Sequence, residues 1–265
     1  MGQAIRLLAN RRKARKTLTG LFDRPDKVLI IHHSCESFYN RPDGSSPRIT
    51  SIAVRNLESG QTYSFSIHQM AERKGIAIER VAEHYDELEK NMLSDFYAYA
   101  ERHKDCTWLH WNMRDISYGF QAIAHRFQVL GGNPNDIPED KRVDLSDLMH
   151  DLYGRGHIAH PHLECLVKKN GITDQDFLTG QDEAEAFRNG QYVALHRSTL
   201  RKVYVIDCIA ELADSNALRT DAKMPCFMYP QFVAERLNEY WLFTLTVAVV
   251  GLISGIIQLI DFIWK

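Results

Sequence analysis

The chain has five cysteines in 265 residues, and no two of them form a Cys-x-x-Cys pair. Cys35, Cys106, Cys165, Cys208 and Cys226 are odd in number and scattered. That argues against a disulfide framework or a zinc knuckle and makes a reducing compartment the default. Net charge is also small, −2 at pH 7, so the surface as a whole does not read as one that coats nucleic acid. There is no internal repeat and no low-complexity tract. No long apolar core follows the first charges, so the N-terminus does not read as a secretory signal peptide. Gly2 is present, but Arg6 stands where a myristoylation signal has Ser or Thr.

What is present is a composition of 45% hydrophobic and 25% charged residues, that of a folded globular chain. The length suits one domain with appendages, or at most two small domains. Charge is uneven: residues 1–27 hold about +6, leaving about −8 for the remainder. Arg6, Arg11, Arg12, Lys13, Arg15 and Lys16 interleave with Ile5, Leu7, Leu8 and Ala14. Residues 1–25 therefore read either as a basic amphipathic helix lying on anionic lipid or phosphate, or as a solvated leader.

The stretch from Val28 to Ile67 organises the rest. Val28-Leu29-Ile30-Ile31 is a continuous apolar run, which predicts a strand buried on both faces. It ends in a polar tip, His32 to Ser37, followed by a loop rich in Pro, Gly, Asp and Asn. Ile49–Val54 and Thr62–Ile67 flank Glu58-Ser59-Gly60 and read as a β-hairpin. Helical spacing follows from Ala71 to Arg102, then a strand opening at Thr107 and a helix from Ile116 to Leu130.

This layout resembles the start of a DEDD-type 3′–5′ exonuclease domain of the ribonuclease-H-like superfamily. In that family the first strand ends in Asp-x-Glu-Thr. Here the tetrad is Ser34-Cys35-Glu36-Ser37, which keeps Glu36 and has Ser34 in place of a metal-binding Asp. Trp111-Asn112-Met113-Arg114-Asp115 resembles the family's second motif. The resemblance makes Asp115 the metal-ligand candidate and Asn112 a substrate contact; read alone, Asp115 is a candidate helix N-cap. Val143-Asp144-Leu145 resembles the short strand and helix start that come next, where the Asp is structural.

Tyr192–Val203 resembles the segment in which the DEDDh subgroup places a general-base His and, five residues later, a metal-binding Asp. His196 and Arg197 match; the Asp position falls on Arg201, followed by Lys202. Two-metal phosphodiester cleavage needs carboxylates holding two divalent ions, and a hydroxyl or a guanidinium is a poor replacement. The resemblance thus implies Glu36, Asp115 and His196 as catalytic residues, with Mg²⁺ or Mn²⁺ on Glu36 and Asp115 if the site is active. It also implies a second possibility, a degenerate site in which Ser34, Asn112, Arg197, Arg201 and Lys202 hold nucleic acid or nucleotide without cutting it. The segment Gly156-His157-Ile158-Ala159-His160-Pro161-His162 invites a metal reading. Pro161 interrupts any helix that would align those imidazoles, so it is read as the loop before a helix at His162.

Trp241 to Ile260 has no charged residue and is rich in Leu, Ile and Val. At about 1.5 Å per residue it approaches the roughly 30 Å of a bilayer core, with Tyr240, Trp241 and Trp264 at its ends as interfacial aromatics. Gly251 and Gly255 form a Gly-x-x-x-Gly pattern suited to helix pairing.

The expected fold class is therefore α/β, a ribonuclease-H-like mixed sheet flanked by helices, plus one C-terminal transmembrane helix. The expected organisation is a basic leader over 1–25, the exonuclease-like domain over 26–215, a linker over 216–238 and a membrane anchor over 239–264. A single-pass anchor implies membrane lipid as a partner, a soluble domain facing the cytoplasm and a homo-oligomer paired through the span. Three functions stay open: a tethered exonuclease-like binder, an active metal-dependent 3′–5′ exonuclease, and a membrane scaffold or effector using the fold for interaction only.

Overall fold

A computed structural model describes residues 3–36, 46–114, 118–222 and 241–263. Among them, β1 (Val28–Cys35), β2 (Ile49–Asn56), β3 (Thr62–Ser66), β4 (Thr107–His110) and β5 (Arg142–Asp144) build one mixed sheet. Its spatial order is β3-β2-β1-β4-β5. The first three strands are antiparallel neighbours; β4 runs parallel to β1, and β5 parallel to β4. The helices are α1 (Gln3–Asp23), α2 (Ile67–Arg73), α3 (Tyr85–Arg102), α4 (Phe120–Val129), α5 (Leu145–Tyr153), α6 (His162–Asn170), α7 (Gly180–Arg188), α8 (Tyr192–Asp214) and α9 (Trp241–Ile263).

Two hydrophobic layers sandwich the sheet, which explains why β1 is apolar at consecutive positions. Leu29 and Ile31 pack on one face with Leu88, Met92 and Phe96 of α3 and Ile123 of α4. Val28 and Ile30 point the other way, into Leu18 of α1, Met149 of α5, and Val203 and Ile206 of α8. The period-2 alternation of a strand thus serves two cores at once. Each large apolar side chain fully buried this way contributes roughly 1.5–3 kcal/mol.

The basic leader is a helix docked on this second layer. Ala14, Leu18 and Leu21 are buried, and Arg15 donates to the Ala213 carbonyl at 2.9 Å and to Asn216 Oδ1 at 2.7 Å. Its apolar face is spent on α5 and α8, which leaves Arg6, Arg12, Lys13 and Lys16 exposed.

Three expectations are corrected. The polar tip at His32 is not the end of the strand: β1 runs on through Cys35, and His32, His33 and Ser34 are buried within it. Pairing with β2 continues through these residues and satisfies their backbone. The helix expected from Ile116 starts later, at Phe120, after Gly119 with a φ of 134°.

The C-terminal transmembrane anchor is the third correction. Among the described residues no helix is long and apolar enough to cross a membrane. In α9 the side chains described as exposed and apolar run from Leu245 to Phe262. The single-pass membrane localisation, and pairing of spans through Gly251 and Gly255, lose their basis with it.

Candidate functional site at the carboxyl end of the first strand

The sheet has one place where its order turns. From β1 the chain goes to β2 on one side, while β4 pairs on the other. Pairing with β4 stops at Ile31 opposite His110, yet pairing with β2 continues to Cys35. The β4 side of His32 to Cys35 is therefore open to other groups. Crevices of this kind, outside the carboxyl ends of parallel strands, are where open α/β sheets place ligands.

Side chains from four elements fill this crevice. The Tyr118 hydroxyl donates to the His33 carbonyl at 3.1 Å and lies 3.3 Å from His32 Nε2. Its ring stacks on His33 at 4.2 Å. Helix α8 delivers Lys202 and α7 delivers Glu183, joined Nζ to Oε1 at 2.7 Å with side chains 6% and 0% exposed. Ser198 donates to the same Oε1 at 2.8 Å. Beside them Ser51 and Thr199 share a hydrogen bond of 2.5 Å between β2 and α8.

Electrostatics keep both histidines neutral. Burial, aided by the Lys202 ammonium, holds the His33 imidazole down to about 3. Burial, then Lys202 and His33, lowers His32 as well. Neither ring nitrogen of His33, nor Ser34 Oγ, nor Glu183 Oε2 has a hydrogen-bond partner among the described residues.

This set does not suit two-metal chemistry. Hard divalent ions want several carboxylate or carbonyl oxygens. The crevice offers Glu183, already bound to an ammonium, and neutral imidazoles. Among the described residues no group of three or more His, Cys, Asp or Glu side chains is arranged to hold a metal ion.

The described residues singled out by resemblance come from several elements. Ser34 is sealed inside β1, its carbonyl accepting from Thr50 Oγ1 at 3.0 Å. Glu36 follows the strand, half-buried: its N–H donates to the Arg48 carbonyl at 2.8 Å, and its Oε2 accepts from Arg48 N–H at 3.4 Å. Asp115 lies outside the described residues. Asn112 holds a left-handed φ of 54°; its N–H donates to Asp144 Oδ1 at 3.2 Å and its Oδ1 accepts from Arg114 at 2.9 Å. Asp144 also caps α5 through Ser146 N–H, which gives it a structural task.

His196 faces the opposite edge of the sheet. Its Nε2 lies 3.3 Å from Ser64 Oγ of β3, and its ring lies 5.0 Å from His68 of α2. Burial, with His68 beside it, lowers it to about 4. Arg197 is exposed. Arg201 turns outward, donating to the Gln175 carbonyl at 2.8 Å and stacking on Tyr204 at 5.2 Å. Of the two adjacent cations, Lys202 alone enters the crevice.

Glu183 and Tyr118 escape a reading by motif. Glu183 sits in Gln181-Asp182-Glu183-Ala184-Glu185, which looks like a solvated helix face. A signal existed: Ala186 and Phe187, three and four residues on, share its side of the helix.

A second concavity, of about 560 Å³, opens beside the ends of β4 and β5. Asn10, Lys13 and Thr17 of α1 line it together with Arg114 and Arg142. Arg114 is paired with Asp144 at 2.8 Å and with Asp147. No family model, curated protein or solved structure matches this chain.

Proposed function

We propose that this chain is an exonuclease-like domain of the ribonuclease-H-like superfamily that holds nucleic acid or a nucleotide without cleaving it. The order of elements supports the resemblance: a buried first strand, a hairpin, helices, a second parallel strand with its helix, a short third strand capped by Asp144, and a long late helix carrying His196. The observation that carries the loss of cleavage is the Lys202–Glu183 pair, set with two neutral histidines at the carboxyl end of β1. A buried ammonium beside these groups disfavours a divalent ion there.

Binding is supported by the exposed cations of α1. Arg6, Arg12, Lys13 and Lys16 line the outside of a helix anchored to the core by Leu18 and Leu21, and Lys13 borders the concavity beside β4 and β5. Phosphate neutralised by such side chains releases counterions, so affinity falls with salt.

The test is hydrolysis and binding of 3′-labelled single-stranded DNA and RNA by the full chain, with Mn²⁺ and with EDTA. No cleavage is expected, together with salt-sensitive binding that Arg12→Glu with Lys13→Glu weakens about tenfold or more. Metal-dependent cleavage abolished by Glu36→Ala or Asp115→Ala establishes the active exonuclease instead. Neither cleavage nor binding leaves a scaffold.

A further inference from the structure

We propose that His150, His157 and His162 form a site for a divalent metal of the Zn²⁺ class, with a fourth position open to water. It lies between α5 and α6 and does not depend on the nuclease reading.

The three imidazoles come from different local structures. His150 is in the last turn of α5, His157 in the loop after it, and His162 opens α6. Their ring centroids form a near-equilateral triangle: 5.2 Å from His150 to His157, 5.2 Å from His150 to His162, and 5.5 Å from His157 to His162. A tetrahedral ion at about 2.0–2.1 Å from each nitrogen sets the rings about 5.2 Å apart and the nitrogens about 3.4 Å apart. His150 Nε2 and His162 Nδ1 are 3.4 Å apart.

An independent observation comes from His157, whose residue is 1% exposed. Its Nδ1 donates to the Gly154 carbonyl at 2.9 Å, which fixes the tautomer and leaves the lone pair on Nε2. Such a backbone bond is how metal-ligating histidines are oriented. That Nε2 has no partner among the described residues, although the group is buried.

The surroundings suit a cation. Asp221, which donates its N–H to the His157 carbonyl at 2.6 Å, is the carboxylate whose charge acts on His157, and Lys169 pairs with it. His160 is exposed and lies against His162 at 3.7 Å. The three nitrogens are not already closed around one point, since no described trio stands ready to hold an ion. Three imidazoles select zinc and its neighbours over Mg²⁺ or Ca²⁺.

The experiment strips the full-length protein with EDTA, titrates Zn²⁺ against a chromophoric chelator, and records the visible spectrum after Co²⁺ loading. One Zn²⁺ per chain and tetrahedral Co²⁺ bands are expected. His150→Ala, at a half-exposed position, and His157→Ala should each weaken binding by at least about 100-fold, while the exposed His125→Ala leaves it unchanged. Far-UV circular dichroism confirms folding, and His150→Ala decides the outcome where the buried His157→Ala does not fold. No stoichiometric Zn²⁺, or binding unaltered in His150→Ala (an adventitious ion only), overturns the site.

Discussion

Replacing Lys202 with Met probes the interior ion pair most directly. Nζ lies 2.7 Å from Glu183 Oε1, with both side chains almost wholly inside. At that distance and an effective dielectric of about 20, the Coulomb attraction is about 6 kcal/mol. Much of it offsets the desolvation of two charges, so the pair as a whole contributes little against a hydrophobic pair of equal volume. Breaking it is another matter. Without the ammonium, the Glu183 carboxylate keeps Ser198 as a donor at Oε1, and Oε2 has no partner among the described residues. Removal of one partner of a buried pair costs about 3–5 kcal/mol. Urea unfolding of the full chain should show that loss for Lys202→Met as a lower midpoint at unchanged slope. The double variant Lys202→Met with Glu183→Leu should recover most of it, giving a coupling of about 2 kcal/mol or more in the cycle. If Lys202→Met lies within about 1 kcal/mol of the parent, or the double variant is no better than the single, the pair is not buried as described.

Acid should destabilise the fold well before the carboxylates titrate. His33 and His110 are held at about 3 and His196 at about 4, each by burial first. Unfolded histidine takes its proton near 6.5, so this stability is complete above about pH 6.5 and is lost as pH falls toward 3–4, by up to about 1.4 kcal/mol per pH unit for each ring. His33→Phe keeps the stack on Tyr118 and should flatten the pH 6 to 4 slope by one such share; an unchanged slope in urea titrations counts against the neutral-histidine account. Gly119→Ala should cost about 2 kcal/mol or more, because φ is 134° and a Cβ there would stand 2.4 Å from the Met113 carbonyl carbon. A melting temperature equal to the parent's would show that the loop carrying Asn112 and Arg114 yields without strain.

The architecture was legible where signals are local. The apolar run at Val28 and the hairpin around Gly60 each follow from backbone preference and periodicity within a few residues. The extent of β1 was not, because polar His32, His33 and Ser34 are tolerated inside a strand once β2 takes up their backbone bonds. The leader illustrates the division well. Its amphipathic pattern was plain, but whether Ala14, Leu18 and Leu21 face lipid or protein depends on α5 and α8, which lie far along the chain.

Sequence alone determined the buried first strand's apolar run, the hairpin that follows it and the helical stretch beyond, since these depend on side-chain period. Tertiary structure alone decided which charges meet. Lys202 and Arg201 are adjacent cations, yet one is buried against Glu183 while the other lies on Gln175 and Tyr204, a difference of about 100° around one helix. The histidines of the α5–α6 segment show the same limit: Pro161 forbids a helical ligand pair, and the fold instead brings His150 to His157 and His162. Burial penalties and ion pairing act through space, so they are fixed by packing and not by spacing along the chain.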